Sequence, residues 1–145
     1  MIIRIMEPQD ARAAATLEAE NFSEPWSANS FMEEIQKDTS IYLVAYEGDV
    51  LVGTCGLVTS FDEGEVLNVS VKKQYRRRGI AGDLMKQLLE EAEKRGIKHF
   101  TLEVREGNVP ARTLYERFGF VCEGIRPNFY RNPTENAAIY WLHKE

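Results

Sequence analysis

Glu65-Val-Leu-Asn-Val-Ser-Val71, Lys72-Lys-Gln-Tyr-Arg-Arg-Arg78 and Gly79-Ile-Ala-Gly82, running on to Arg95, read in succession as strand, basic loop and helix. Val66, Leu67, Val69 and Val71 favour extended backbone, whereas Ile80, Leu84, Met85, Leu88, Leu89 and Ala92 recur at helical spacing, so the change of period locates the loop. A helix N-terminus presents unpaired N–H groups and partial positive charge, and glycines there let an anion reach the main chain without meeting a Cβ. The stretch has the chemistry of a pyrophosphate cradle. Lys72, Lys73, Arg76, Arg77 and Arg78 also read as an ordinary solvated charge run, a reading that the glycines and the helix start weigh against.

The other 114 or so residues, on the order of one small domain in all, bound what that loop serves. The chain, 1–145, suits a single soluble domain with 43% hydrophobic and 28% charged residues, and no apolar run approaches the length of a membrane helix. Its net charge of −5 argues against sequence-independent nucleic-acid binding, which needs an extended excess of Lys and Arg. The positive charge is local, which suggests an anionic ligand at the loop and a basic partner on another face. Met1-Ile2-Ile3-Arg4-Ile5 lacks the features of an export signal and reads as a first strand. Cys55 and Cys122, in strand-like surroundings and in no CxxC pair, read as reduced thiols of a cytoplasmic protein, with no metal site.

Upstream of the loop, Ile3 and Ile5 give a strand, and Pro8 opens a helix carrying Ala11, Ala14, Ala15 and Leu17. Ser23-Glu24-Pro25-Trp26 breaks it, and Ser27 or Ser30 caps a second helix, Ser30 with Glu33 having capping-box spacing. Trp26 is either a wall for substrate or a plug between helices. Ile41–Tyr46 and Val50–Thr59 form a hairpin about Glu47-Gly48-Asp49, and Asp62-Glu63-Gly64 turns the chain into the strand at Val66. Downstream, Gly96 ends the long helix and Lys98–Val104 is a strand parallel to Val66–Val71. Asn108 caps a short helix through Ala111, Leu114, Tyr115 and Phe118, and Phe120–Ile125 and Ala137–Leu142 complete the sheet around a loop from Arg126 to Glu135. The fold class is α/β, a mixed sheet of about seven strands in the order β-α-α-β-β-β-α-β-α-β-β.

Neither a P-loop nor a dinucleotide fingerprint occurs. Arg76-Arg77-Arg78-Gly79-Ile80-Ala81-Gly82 instead resembles the [QR]-x-x-G-x-[GA] motif of the GNAT superfamily of N-acetyltransferases, and Asn108–Phe120 resembles its other recurring segment. The element order is similar over essentially the whole chain. Within the superfamily, Glu24-Pro25-Trp26-Ser27, Leu102-Glu103-Val104-Arg105 and Arg126-Pro127-Asn128-Phe129-Tyr130 resemble the bacterial ribosomal-protein-alanine N-acetyltransferases of the RimI type. The loop departs from the common pattern at Ala81, where glycine is frequent, and at Arg78, often glutamine.

The resemblance implies acetyl-coenzyme A as cosubstrate, held by Arg76, Arg77, Arg78, Gly79, Ile80, Ala81, Gly82 and Asn108, with its pantetheine arm adding like a strand to Val69, Ser70 and Val71 where the two parallel strands splay. It implies Glu103 as the base that accepts the amine proton and Tyr115 as the acid that protonates the departing thiolate. Taken alone, Glu103 also reads as a surface glutamate paired with Arg105, Tyr115 as a core aromatic, and the valines as ordinary core. Glu24, Trp26, Asn128, Phe129 and Tyr130 would receive the acceptor, or simply pack their loops.

The implied reaction is direct attack, in a ternary complex, by the terminal amine of a small-subunit ribosomal protein, alanine first. An α-amine, with an ordinary pKa near 7.7–8.0 against 10.4 for lysine, costs about 3 kcal/mol less to deprotonate at neutral pH, which suits a lone glutamate base. The alternatives are acetylation of a small-molecule amine or a lysine, and a non-enzymatic acetyl-coenzyme A-binding module on the ribosome. No nucleic acid or membrane partner is expected, and the oligomeric state is left between monomer and weak dimer.

Overall fold

In the computed structural model, which describes residues 1–144, seven strands and four α-helices follow one another in the predicted order. They are β1 (Ile2–Ile5), α1 (Ala11–Asn21), α2 (Ala28–Glu34), β2 (Ser40–Glu47), β3 (Val50–Ser60), β4 (Glu63–Val71), α3 (Ile80–Lys94), β5 (His99–Arg105), α4 (Val109–Arg117), β6 (Val121–Tyr130) and β7 (Glu135–His143). The strands make one mixed sheet in the order β1-β2-β3-β4-β5-β7-β6, antiparallel except between β4 and β5.

Helices cover both faces, and β2 shows why its run Ile-Tyr-Leu-Val-Ala can be apolar throughout. Ile41, Leu43 and Ala45 join the cluster under α3 that holds Leu84, Met85 and Leu88, while Tyr42 and Val44 join Met6, Ala14, Leu17 and Phe31 under α1 and α2. Alternate side chains of a strand point to opposite faces, so a strand roofed on both sides is apolar at every position. Each such Leu or Phe removed from water stabilises the fold by about 1.5–3 kcal/mol. Tyr42 lies flat over Gly56 on the neighbouring strand, where a Cβ would stand 2.1 Å from a ring carbon.

At one boundary the structure chooses between the two caps that the sequence offered, and at two it differs from the sequence expectation. The second helix is capped by Ser27, whose Oγ accepts from Ser30 N–H at 3.1 Å, and Ser30 serves as a donor within the helix rather than as its cap. The turn before β4 is only Phe61-Asp62, because Phe61 takes a left-handed conformation (φ 55°) and the strand resumes at Glu63. The second difference matters most. Arg126–Tyr130, expected in a loop, is the second half of β6. Asn128 adopts φ 53° and its N–H donates to Asn136 Oδ1 at 3.0 Å, so the strand bulges and then continues. Pro127 is compatible with this because β6 is an edge strand.

Candidate active site

The parallel strands part after three residues. β4 and β5 pair at Glu63–His99, Gly64–Phe100 and Glu65–Thr101 and then separate. Along its other edge β4 stays on β3 but carries a bulge, Asn68 and Val69 facing the single residue Cys55, with Asn68 at φ 58°. Lys72 N–H donates to the Val52 carbonyl at 2.7 Å, so by alternation the main chain of Ser70 faces β3 and that of Val69 and Val71 faces the opened edge. The Val71 carbonyl already accepts from Asn21 Nδ2 at 3.1 Å and from Arg76 Nε at 3.3 Å. Ser70 is buried and its hydroxyl accepts from Asn21 Nδ2. Of the three β4 residues singled out in the sequence, Val69 is the one whose main chain stands outside the ladder in the cleft.

The basic loop divides its cations. Lys72 Nζ lies 3.5 Å from a Glu20 carboxylate oxygen, and Arg76 Nη2 donates to Asn21 Oδ1 at 2.7 Å, so both help tie the loop to α1. Arg78 sits over the Tyr75 ring at 4.8 Å, and among the described residues neither Arg77 nor Arg78 meets a carboxylate. Gly79, the residue before α3, has φ 80°, a conformation that favours glycine, and a Cβ there would meet nothing within 4 Å. Gly82, in the first turn, would meet only Leu114, at 3.8 Å. Main-chain N–H groups, arginines and vacant space above two glycines fit a diphosphate. An open cleft of about 490 Å³ lined by Glu20, Asn21, Lys73, Gln74 and Arg76 flanks the loop.

Beyond the splay, Phe100, Leu102 and Val104 turn into the core, which puts Thr101, Glu103 and Arg105 on the other face of β5. Glu103 Oε2 is buried and lies 3.0 Å from Arg126 Nη1 on β6. The contact is an ion pair in which no N–H is directed at the oxygen, so that oxygen has a charge partner and no hydrogen bond. The alternative pairing of Glu103 with Arg105 is not formed: Arg105 Nη1 lies 3.3 Å from Glu135 Oε1 and its guanidinium stacks on Tyr130 at 4.6 Å. Glu65, at the last rung before the splay, has its carboxyl pushed up by burial and by the Glu103 charge, with Arg126 opposing.

Tyr115 on α4 is 7% exposed, between the rings of Phe120 and Tyr140. Burial, and then the Cys55 thiol and Tyr130, push its hydroxyl well above the ordinary phenol range, so it keeps its proton. Among the described residues it donates to none. Tyr130 is pushed up to about 12 by burial and next by Glu103. The Glu103 charge thus bears on Tyr130, and Tyr130 in turn on Tyr115. Asn108 caps α4, its Oδ1 accepting from Ala111 N–H at 3.3 Å, which leaves its Nδ2 for another partner.

The acceptor candidates fall in two places. Trp26 is half-buried and packs its ring against Phe31 and Tyr42, centroids 5.3 and 5.9 Å away, while Glu24 is exposed. Asn128, Phe129 and Tyr130 stand on β6, Phe129 beneath the Arg126 guanidinium at 5.2 Å.

Sequence reasoning passed over Asn21, Glu18, Asn68 and Glu65. Two of these carry a visible mark. Asn68 interrupts a valine-rich strand with a residue poor in β-propensity and tolerant of positive φ. Glu18 falls four residues after Ala14 and seven after Ala11, on the apolar face of α1.

Residues 11–120 match the model of the acetyltransferase (GNAT) family. An Escherichia coli protein named [ribosomal protein bS18]-alanine N-acetyltransferase is 33% identical over 144 residues, 97% of this chain and 95% of its own length. A Mycobacterium tuberculosis protein named N-alpha-acetyltransferase RimI is 36% identical over 142 residues, 94% and 87% of the two chains. The crystal structure of the ribosomal-protein-S18-alanine N-acetyltransferase from Escherichia coli superposes with a TM-score of 0.89 at 30% identity, covering 98% of this chain and 92% of that one.

Proposed function

The chain belongs to the acetyltransferase (GNAT) family and is an N-acetyltransferase, and from that premise we propose that it acts as one domain over its whole length on the N-terminal α-amine, alanine first, of a small-subunit ribosomal protein. The observation that carries this reading is the splayed β4–β5 pair: an unpaired main chain at Val69 on one wall, and Glu103 and Tyr115 beyond it. Acetyl-CoA supplies the activated acetyl group when bound. Its diphosphate suits the Arg77–Gly82 loop and the N-terminus of α3, its extended arm suits the open edge at Val69, and the Asn108 amide is left over from capping to meet it.

Glu103 accepts the proton of the incoming α-amine, directly or through water, and direct attack follows within the ternary complex. Its carboxylate is held in place by Arg126 without a hydrogen bond to its Oε2, which keeps a lone pair for that proton. Tyr115 holds a proton in a buried setting that disfavours its anion and delivers it to the leaving sulfur. An α-amine suits this site because one carboxylate base serves a group that loses its proton near pH 8 better than a lysine. That the Escherichia coli relative is named a bS18-alanine N-acetyltransferase supports the polypeptide acceptor, and a ribosomal acceptor suits an enzyme of the cytoplasm.

The test is mass spectrometry of protein N-termini in cells with and without this protein, followed by assay of the identified peptide. One ribosomal N-terminus should lose its acetyl group, and blocking the α-amine of the peptide should abolish turnover. Undiminished acetylation of the blocked peptide would assign the reaction to lysine or a small amine instead.

A further inference from the structure

Beneath the β4 bulge lies a buried polar chain that the transfer reaction does not itself use. Tyr42 Oη donates to Asn68 Oδ1 at 2.9 Å, Asn68 Nδ2 donates to Glu18 Oε1 at 2.8 Å, and Thr54 Oγ1 donates to the Asn68 carbonyl at 3.1 Å. Glu18 is 4% exposed and Tyr42 2%. The second carboxylate oxygen of Glu18, Oε2, is buried with no hydrogen bond of ordinary geometry among the described residues, though the Trp26 main-chain N–H favours the carboxylate beside the Asn68 amide. A carboxyl buried on the apolar face of a helix is costly, and replacing both partners of such a bond by apolar groups is often close to neutral.

Asn68 is what the chain holds. It sits at φ 58°, a conformation disfavoured for most side chains and tolerated by asparagine, and it is one of the two residues that oppose Cys55 across the bulge. Its left-handed turn is what carries Val69 out of the β3 ladder and turns its main chain toward the opened edge. Tyr42 also touches Trp26, so the same chain reaches the segment between α1 and α2. Building on the acetyl-transfer reading of the cleft, we propose that Glu18 is a positioning residue: through Asn68 it sets the bulge that aims the Val69 main chain at the reacting acetyl group.

The geometry assigns each partner a distinct effect. The amide of Glu18→Gln keeps an oxygen for Asn68 Nδ2, and burial already pushes the Glu18 carboxyl above the ordinary range, so that variant keeps the tether. Glu18→Ala removes it. Asn68→Gly keeps the left-handed turn without any tether, since glycine populates positive φ readily, whereas Asn68→Ala must hold that turn against its own preference.

The experiment measures kcat, coenzyme A affinity and the backbone amide resonance of Val69 in these variants and in Glu18→Ala/Asn68→Gly. Loss of alignment at the reacting centre should lower kcat about tenfold or more in Glu18→Ala and Asn68→Ala, with KM for the acceptor little changed. The Val69 amide should move in both. Glu18→Gln and Asn68→Gly should stay near wild type, and Asn68→Gly should rescue Glu18→Ala. Equal activity of Asn68→Ala and Asn68→Gly overturns the proposal even where Glu18→Ala does not fold, and so does a double variant as impaired as Glu18→Ala. A wild-type protein inactive on every amine, with Val69 still displaced in Asn68→Ala, would sink the acetyl-transfer reading and leave the positioning of the bulge standing.

Discussion

Arg126 Nη1 on β6 lies 3.0 Å from Glu103 Oε2 on β5, although β7 separates the two strands in the sheet. The pair spans the neighbouring strand because both side chains rise from the same face, and it sets a single cation against Glu103 and Glu65 together. Arg126 is 56% exposed, so it can remain solvated when its partner changes.

Glu103→Gln should therefore cost little stability and much activity. General-base removal is expected to lower kcat by about 100-fold or more, with coenzyme A affinity unchanged. Steady-state kinetics beside calorimetric titration of coenzyme A separates the two, and native turnover would exclude Glu103 as the base.

Tyr115→Phe removes a hydroxyl that donates to no group among the described residues. Thermal unfolding should shift by less than about 1 kcal/mol in stability, because no bond is lost, while kcat falls about tenfold to hundredfold. A large loss of stability with full activity would make Tyr115 a packing residue only.

Two glycines of the loop separate conformation from space. Gly79→Ala must hold φ 80° with a Cβ and should lose about 1–2 kcal/mol of stability. Gly82→Val meets only Leu114 at 3.8 Å, so the fold should tolerate it with a modest helix-propensity cost, yet coenzyme A affinity should fall at least about tenfold as the side chain enters the diphosphate space. Calorimetry giving native affinity for Gly82→Val would defeat the cradle.

The buried carboxyl of Glu18 leaves a signature in stability. Its value in the folded protein is raised above the ordinary 4.5, chiefly by burial, so the folded state binds more protons than the unfolded chain above that pH. Stability is then lost as pH rises from the ordinary value through the raised one, a slope that Glu18→Gln lacks. Melting curves of wild type and Glu18→Gln should diverge above about pH 4.5 in favour of the variant, relative to their separation in acid. A constant separation would mean that Glu18 is not desolvated.

Gly56→Ala tests the layer beneath the site. A Cβ placed 2.1 Å from the buried Tyr42 ring forces that ring to move, at a cost of about 3 kcal/mol. The same variant should disturb the Tyr42–Asn68 bond, and denaturant unfolding with unchanged stability would show that the ring is free to shift.

Most of the architecture was legible because it rests on local periodicity. The alternation of Val66 to Val71, the helical spacing of Ile80 to Ala92, and Asn108 with Pro110 at the head of α4 each express a preference of neighbouring residues for one backbone conformation, and the structure repeats them in order. The Arg126–Tyr130 segment was not legible. Its Pro and Asn signal a break locally, and it becomes strand only because β7 and Asn136 supply partners from elsewhere in the chain.

The candidate site divides along the same line. Residue types and spacing alone pointed to an anion cradle at Gly79–Gly82, to Glu103 facing away from the core, and through the family motifs to Tyr115, since these depend on which atoms a short segment presents. Which cation stands by Glu103, that Arg76 is spent on Asn21 while Arg77 and Arg78 meet no carboxylate among the described residues, and that Glu18 and Tyr42 hold Asn68 in its turn are contacts between residues from 23 to 55 positions apart in sequence, on helices and strands that meet only in the folded protein. No local pattern encodes such pairings, because each exists only once burial has brought its two halves together, and it is burial that also sets the protonation of Glu18 and Tyr115.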